Sequence, residues 1–364
     1  MEKKRLSNFE LLRIISIFLI VIHHFAIWTP WNFDQHSQSY RLLVNFLMIG
    51  GKLGVNVFVM ITGYFMIKSN IKMKSIIKLI VQVTVFSVVL YGVTIYFNIQ
   101  GSSLKWPDLI NSMFPILFNR YWFMTAYLQL YLLIPLINIA LNKITEINYV
   151  RFMTLFFVIF SIWPMIYFEA GTTSSHLSWF IFMYSLGAFF KLYQERFDKK
   201  AVSYFVKMSM SIVVTMLCTW GLTVLLSNSG NTGYYFVKDF LGWYTNIFVT
   251  REYSPFILVI SIYLFLTFMK LPIKYNRFIN YTASMILGVY LFQSTPVISG
   301  WLWKTVFRGH LVNSGVKLFF YSLCVGLVLT IIGVLLSIIL NPIVRVLTNV
   351  IDKGLNNLLK KEIN

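Results

Sequence analysis

The sequence predicts an all-α, polytopic membrane protein of about ten transmembrane helices. Three observations carry that prediction. Hydrophobic residues make up 58% of the 364 and charged ones 12%, where a soluble domain averages about 45–50% and about 25%. Mean hydropathy is +0.72, with 34 Phe, 21 Tyr and 10 Trp. Apolar runs long enough to cross a bilayer, which takes roughly 17–25 residues, recur along the whole chain. A chain so apolar cannot cover a soluble surface, and this excludes a disordered protein, a secreted disulfide scaffold and an ordinary cytosolic enzyme.

Ten spans are read in order, at about 10–28, 42–67, 76–97, 122–141, 151–168, 178–193, 204–226, 253–269, 280–303 and 317–340. The sixth is short. The second is interrupted by Gly50, Gly51 and Gly54 and is expected to bend or to be re-entrant. Pro135 is expected to kink the fourth. With the N-terminus inside, alternate segments hold 21 Lys and Arg on the inner side and 8 on the outer, while Arg13 and Lys52 lie within spans. That is the positive-inside pattern, and it places both termini in the cytoplasm. The net charge of +19 is therefore topogenic, and nucleic acid is not an expected partner; the lipid bilayer is.

The first span is no cleavable leader, because its apolar run carries Arg13, His23 and His24 with no small-residue cleavage site behind it. Residues 1–341 read as a single transmembrane domain and 342–364 as a short amphipathic cytoplasmic tail, with Ile343, Val346, Leu347, Val350 and Ile351 at helical spacing. Cys218 and Cys324 sit in separate apolar runs and read as small packing residues. His36, His176 and His310 lack partners at ligand spacing, and no metal site is expected.

Ionisable groups inside a bilayer are costly and are functional candidates by default. At about 100° per residue, Arg13 and His24 fall within about 20° of one another on the first helix and Glu10 within about 60° of Arg13, while His23 points roughly 80° away. One face thus carries Glu10, Arg13 and His24. Either Glu10 orients Arg13 and His24 serves as a general base, its ordinary pKa of about 6.5 being near working pH, or the three simply bond neighbouring helices. His23 reads as structural.

The segment NFELLRIISIFLIVIHHF resembles the opening helix of the membrane acyltransferase-3 family, whose signature is an Arg, ten residues and a His. Arg13 and His24 match it, and Glu10 stands at the family's acidic position. GKLGVNVFVMITGYFMI, YWFMTAYLQLYLLIPLIN (through Trp122, Gln129, Tyr131 and Pro135) and ASMILGVYLFQSTPV follow in the family's order. Three features depart from it: Gln293 replaces a common His, Tyr127 and Leu128 replace a Glu pair found in one branch, and Lys72, Lys74 and Lys78 replace an Arg-x-x-Arg.

The resemblance implies transfer of an acyl group, usually acetyl, from cytosolic acetyl-CoA to a hydroxyl of a carbohydrate, here a surface polysaccharide or its lipid-linked precursor, at a bacterial plasma membrane. His24, Arg13 and Glu10 are then the catalytic candidates. Lys52, Lys74 and Lys78 are candidates for the CoA phosphates, although Lys at a span end also reads as topogenic. Trp122, Tyr127, Arg120 and Gln293 are candidates for the acceptor, although Trp and Tyr at a helix end also form the aromatic belt of any membrane protein. Direct transfer and an acyl-histidine intermediate both fit. A glycan exporter or solute transporter is the rival reading; a sensor or scaffold leaves Arg13 and His24 without a purpose.

Overall fold

The computed structural model describes residues 5–167, 175–227 and 231–363; Lys3 and Lys4 of the basic inner group lie outside them. Among the described residues there is no strand. Each expected span is helical: α1 Ser7–Trp28, α2 Gln38–Met66, α3 Met73–Tyr96, α4 Trp122–Lys143, α5 Glu146–Ile166, α6 His176–Leu192, α7 Ala201–Ser227, α8 Pro255–Lys270, α9 Arg277–Ser294 with α10 Pro296–Leu311, and α11 Gly315–Ile363. By length and composition seven of these can cross a membrane, and an eighth if α9 and α10, bent by 72°, form one broken span. The other two, α6 and α8, have 17 and 16 residues.

One local expectation is corrected. The glycines of α2 do not break it; they let it lie against α1. A Cβ on Gly50 would sit 2.6 Å from the Leu19 carbonyl oxygen, one on Gly54 would meet Ser16 O, and one on Gly51 would enter the His23 ring. Small residues that permit close backbone approach are the usual means of packing helices in lipid. Further along α2, Gly63 faces the Tyr184 carbonyl while Gly187 of α6 faces that of Met60. The residues from 342 on are helical and continue the last span, as α11 runs 49 residues through Pro342, or about 73 Å at 1.5 Å per residue. The fourth span contains Pro135 within a single helix.

Contacts between helix ends sort the connections into two groups. At one end Ser7 Oγ donates to Asn280 Oδ1 at 3.0 Å and accepts from Asn276 N at 2.8 Å, Arg196 pairs with Glu146 at 2.7 Å, and Asn138 donates to Met66 O at 2.9 Å. At the other, Tyr40 Oη donates to Val312 O, Tyr121 Oη meets Thr295 Oγ1 at 2.9 Å, and His176 reaches Glu252. The first group carries the loops rich in Lys and Arg, so sequence charge and tertiary packing divide the molecule the same way. Helix α1 lies inside the bundle against α2, α8, α9 and α11, which is why its polar residues are shielded from lipid.

Candidate active site

Glu10 is buried in the first turn of α1, where a helix N-terminus favours an anion. One turn on, Arg13 Nη1 donates to both carboxylate oxygens at 3.2 and 3.3 Å. Arg5 approaches Glu10 from the other side at 3.9 Å and donates to Asn280 O. Lys78 of α3 lies within electrostatic reach of Arg5 and of Arg345 on α11. Arg5 and Arg13 thus flank the Glu10 carboxylate, and Arg5 in turn lies within electrostatic reach of Lys78, as does Arg345. Lys74 is exposed on the first turn of α3.

Tyr127 Oη bonds Thr62 Oγ1 at 3.0 Å, joining α4 to α2, with Phe123 stacked beside it. Arg13 is within electrostatic range of Tyr127. The polar face of α1 therefore continues across to α4.

Seventeen residues past Ser7, or roughly 25 Å along the axis, come the two histidines. They diverge as their helical positions predict. His23 turns toward α2, where Nδ1 donates to Met48 O at 2.5 Å and the ring covers Gly51. His24 turns toward α9, where Nδ1 lies 2.8 Å from Gln293 Oε1. An amide oxygen only accepts, so this contact matches the tautomer with hydrogen on Nδ1, the one that leaves Nε2 with a lone pair. Trp28, one turn later, stacks on the His24 ring at 4.0 Å with 17° between planes and is 40% exposed. Trp28 carries no polar pattern and only its i, i+4 spacing from His24 could have marked it.

The third cluster stands near the His23 level on the outer group of ends. Lys52 Nζ pairs with Glu252 Oε2 at 2.8 Å, and His176 Nδ1 meets Glu252 Oε1 at 2.7 Å. Trp122 closes the group, its ring 5.0 Å from Lys52 Nζ and 4.4 Å from the His176 ring. Asn56 of α2 donates to Glu252 O at 3.3 Å and accepts from Trp179 Nε1 at 2.8 Å. Burial alone would push the Glu252 carboxyl up; the Lys52 ammonium and His176 override it and hold the group below the usual carboxylate range. Arg120 sits two residues before Trp122 with its Nε buried and, among the described residues, without a hydrogen-bond partner.

The structure thus brings Glu10 and Arg13 together, places His24 on Gln293, and puts Lys52 with Trp122 instead of with Lys74 and Lys78. Sequence reasoning passed over Arg5, Arg345, Glu252 and Trp28, and took His176 for a residue without partners.

A family model described as an acyltransferase domain matches residues 6–341. The chain belongs to the acyltransferase 3 family. It is a multi-pass membrane acyltransferase. No curated protein and no solved structure matches it. The matched region takes in Glu10, Arg13, His24, Lys52, Trp122 and Glu252, while Arg5 and Arg345 lie just beyond its two ends. In this acyltransferase the second-span and fourth-span motifs meet directly, through Thr62 and Tyr127.

Proposed function

We propose that this acyltransferase moves an acyl group, acetyl foremost, from cytosolic acetyl-CoA to a hydroxyl of a surface polysaccharide or its lipid-linked precursor, with His24 as general base. The observation that carries the reading is His24 itself: a buried imidazole with a free Nε2, lying between a cationic cluster at one end of α1 and an aromatic, charged cluster near the other. Both termini are cytoplasmic in this reading, and the membrane is a bacterial plasma membrane.

The donor's chemistry suits the first cluster. Its phosphates need cations, and Arg5, Lys78 and Arg345, with Lys74 nearby, offer them; Arg adds bidentate geometry that Lys lacks. Arg13, held by Glu10, stands along the path from there to His24. The acceptor's chemistry suits the other side, where Trp122 offers a ring face and Arg120 a cation for an anionic glycan. Tyr127 lies between the two. Lys52, tied to Glu252, sets the field on the acceptor side.

In the transfer, His24 Nε2 takes the proton of the acceptor hydroxyl as its oxygen attacks the thioester carbonyl carbon. The C–O bond forms, the C–S bond breaks, and the leaving CoA thiolate recovers the proton from the imidazolium. The one imidazole serves both proton transfers, as general base and then as general acid.

The test is the O-acetyl content of the host's surface glycan, by proton NMR, in cells lacking the protein and complemented with wild type, His24→Ala or His23→Ala. Acetyl is expected to vanish with His24→Ala and to persist with His23→Ala. Full acetylation by His24→Ala removes the base assignment. Normal acetylation with poor delivery of glycan to the surface makes export the better reading.

A further inference from the structure

His24 makes one hydrogen bond, and its partner is a residue with nothing else to do. Gln293 is fully buried on α9. Its Oε1 accepts from His24 Nδ1 at 2.8 Å, while its Nε2 has no hydrogen-bond partner among the described residues. A buried amide nitrogen left unbonded costs about 1–3 kcal/mol, so the one bond that Gln293 does make has to justify its place. Trp28 fixes the plane of the same imidazole from one face.

Resting on the reading of His24 as the base, we propose that Gln293 is a positioning residue: its amide oxygen holds His24 in the tautomer with hydrogen on Nδ1, so that Nε2 is the atom that takes the acceptor's proton. The opposite amide orientation would donate to Nδ1, force the hydrogen onto Nε2 and take away the basic lone pair. Direct binding of the acceptor by Gln293 would require Oε1 to leave His24. Nor does its Nε2 suit an oxyanion, since the amide sits on the Nδ1 side of the ring, away from the atom where charge develops. A neutral amide also leaves the pair with one titrating group, where a carboxylate or a second imidazole would give two coupled ones.

The experiment is 15N NMR on the full-length protein in lipid nanodiscs, with all five histidines 15N-labelled and His24 assigned by the signals missing from His24→Ala. In neutral wild-type protein His24 is expected to show a protonated Nδ1 and a bare Nε2. Gln293→Leu, which removes the acceptor, is expected to shift His24 toward the other tautomer. Gln293→Glu, which keeps an acceptor oxygen, is expected to retain the wild-type one. Hydrogen on Nε2 in the wild type overturns the proposal, and that spectrum decides even where a variant fails to fold. A Gln293→Leu spectrum unchanged at His24 overturns it as well.

No acyl donor or acceptor enters this measurement, so it stands apart from the acyltransferase reaction. Surface O-acetylation in the same strains supplies the second arm. By analogy with histidines oriented on metal ions, Gln293→Leu is expected to lower it about 10–100-fold, with Gln293→Glu recovering part. The expected tautomer without any acetyl product in wild-type cells sinks the O-acetylation reading and leaves the positioning intact. Full acetylation by Gln293→Leu sinks the positioning role and leaves the reaction intact.

Discussion

At the scale of single residues, the costliest feature of the molecule is the Lys52–Glu252 pair. Glu252 is 8% exposed and its oxygens are shared between Lys52 and His176. Removing one partner of a buried pair strands the other, at about 3–5 kcal/mol. Glu252→Gln is therefore expected to lower the melting temperature in detergent well below wild type, as is Lys52→Met. The double variant Lys52→Met/Glu252→Gln is expected to recover much of the loss; a double variant as unstable as the sum of the singles contradicts a direct pair. The sign of the pH response follows from the depressed carboxyl of Glu252. Its stabilisation is fully present above the ordinary carboxylate pKa of about 4 and is lost only as the pH falls through the lower folded value. Melting between neutrality and mildly acid pH is thus expected to owe nothing to Glu252. Below that range wild type is expected to lose stability while the double variant does not. The same pair shows where reading a sequence stops. Glu10, Arg13 and His24 share one helix, so a fixed angle per residue put them on a common face. Lys52 and Glu252 are 200 residues apart, and a lone Lys in an apolar run says nothing of which distant carboxylate neutralises it.

At the scale of elements, α1 and α2 behave as one unit whose spacing is set by glycines. Gly50, Gly51 and Gly54 read in sequence as an interruption, because glycine weakens an isolated helix by about 1 kcal/mol. In the bundle that weakness is outweighed, since each glycine admits a backbone or ring atom of α1. The contact also holds His23 and so sets the rotation of the helix that carries His24. Gly54→Ala and Gly51→Ala are expected to overpack this seam by about 1–3 kcal/mol, read as reduced monodisperse yield and a lower melting temperature. Gly92→Ala and Gly221→Ala, on helices where an added methyl meets no atom within 4 Å, are expected to be neutral or slightly stabilising, by up to ~1 kcal/mol. Equal damage at all four positions would contradict the assignment of these glycines to the α1–α2 contact, because helix propensity alone favours alanine at each of them. The broken helix pair α9–α10 was out of reach for the opposite reason: hydropathy registers a continuous apolar stretch, and the 72° bend at Thr295–Pro296 leaves no trace in it.

For the whole molecule, orientation decides whether the chemistry can work. The packing sorts the helix ends into two groups, and the cationic cluster of Arg5, Lys78 and Arg345 belongs to the group with most of the Lys and Arg. If that end faces the cytoplasm, acetyl-CoA can meet it and the Trp122 side opens toward the surface glycan. Reversed, the cations would face outward and the donor could not reach them. The positive-inside tendency favours the first arrangement, and labelling tests it. In a background with Cys218→Ser and Cys324→Ser, single cysteines are placed at exposed positions of each group: Asp34→Cys and Leu311→Cys for one end, Lys72→Cys and Lys199→Cys for the other. A membrane-impermeant maleimide added to intact cells is expected to label positions 34 and 311 at once and positions 72 and 199 only after permeabilisation. The inverse pattern would refute the donor route from Arg5, Lys78 and Arg345 to His24. Mixed labelling within one group would instead show that the two-ended packing does not map onto the two faces of the membrane, and α6 and α8, with 17 and 16 residues, are where such a departure would arise.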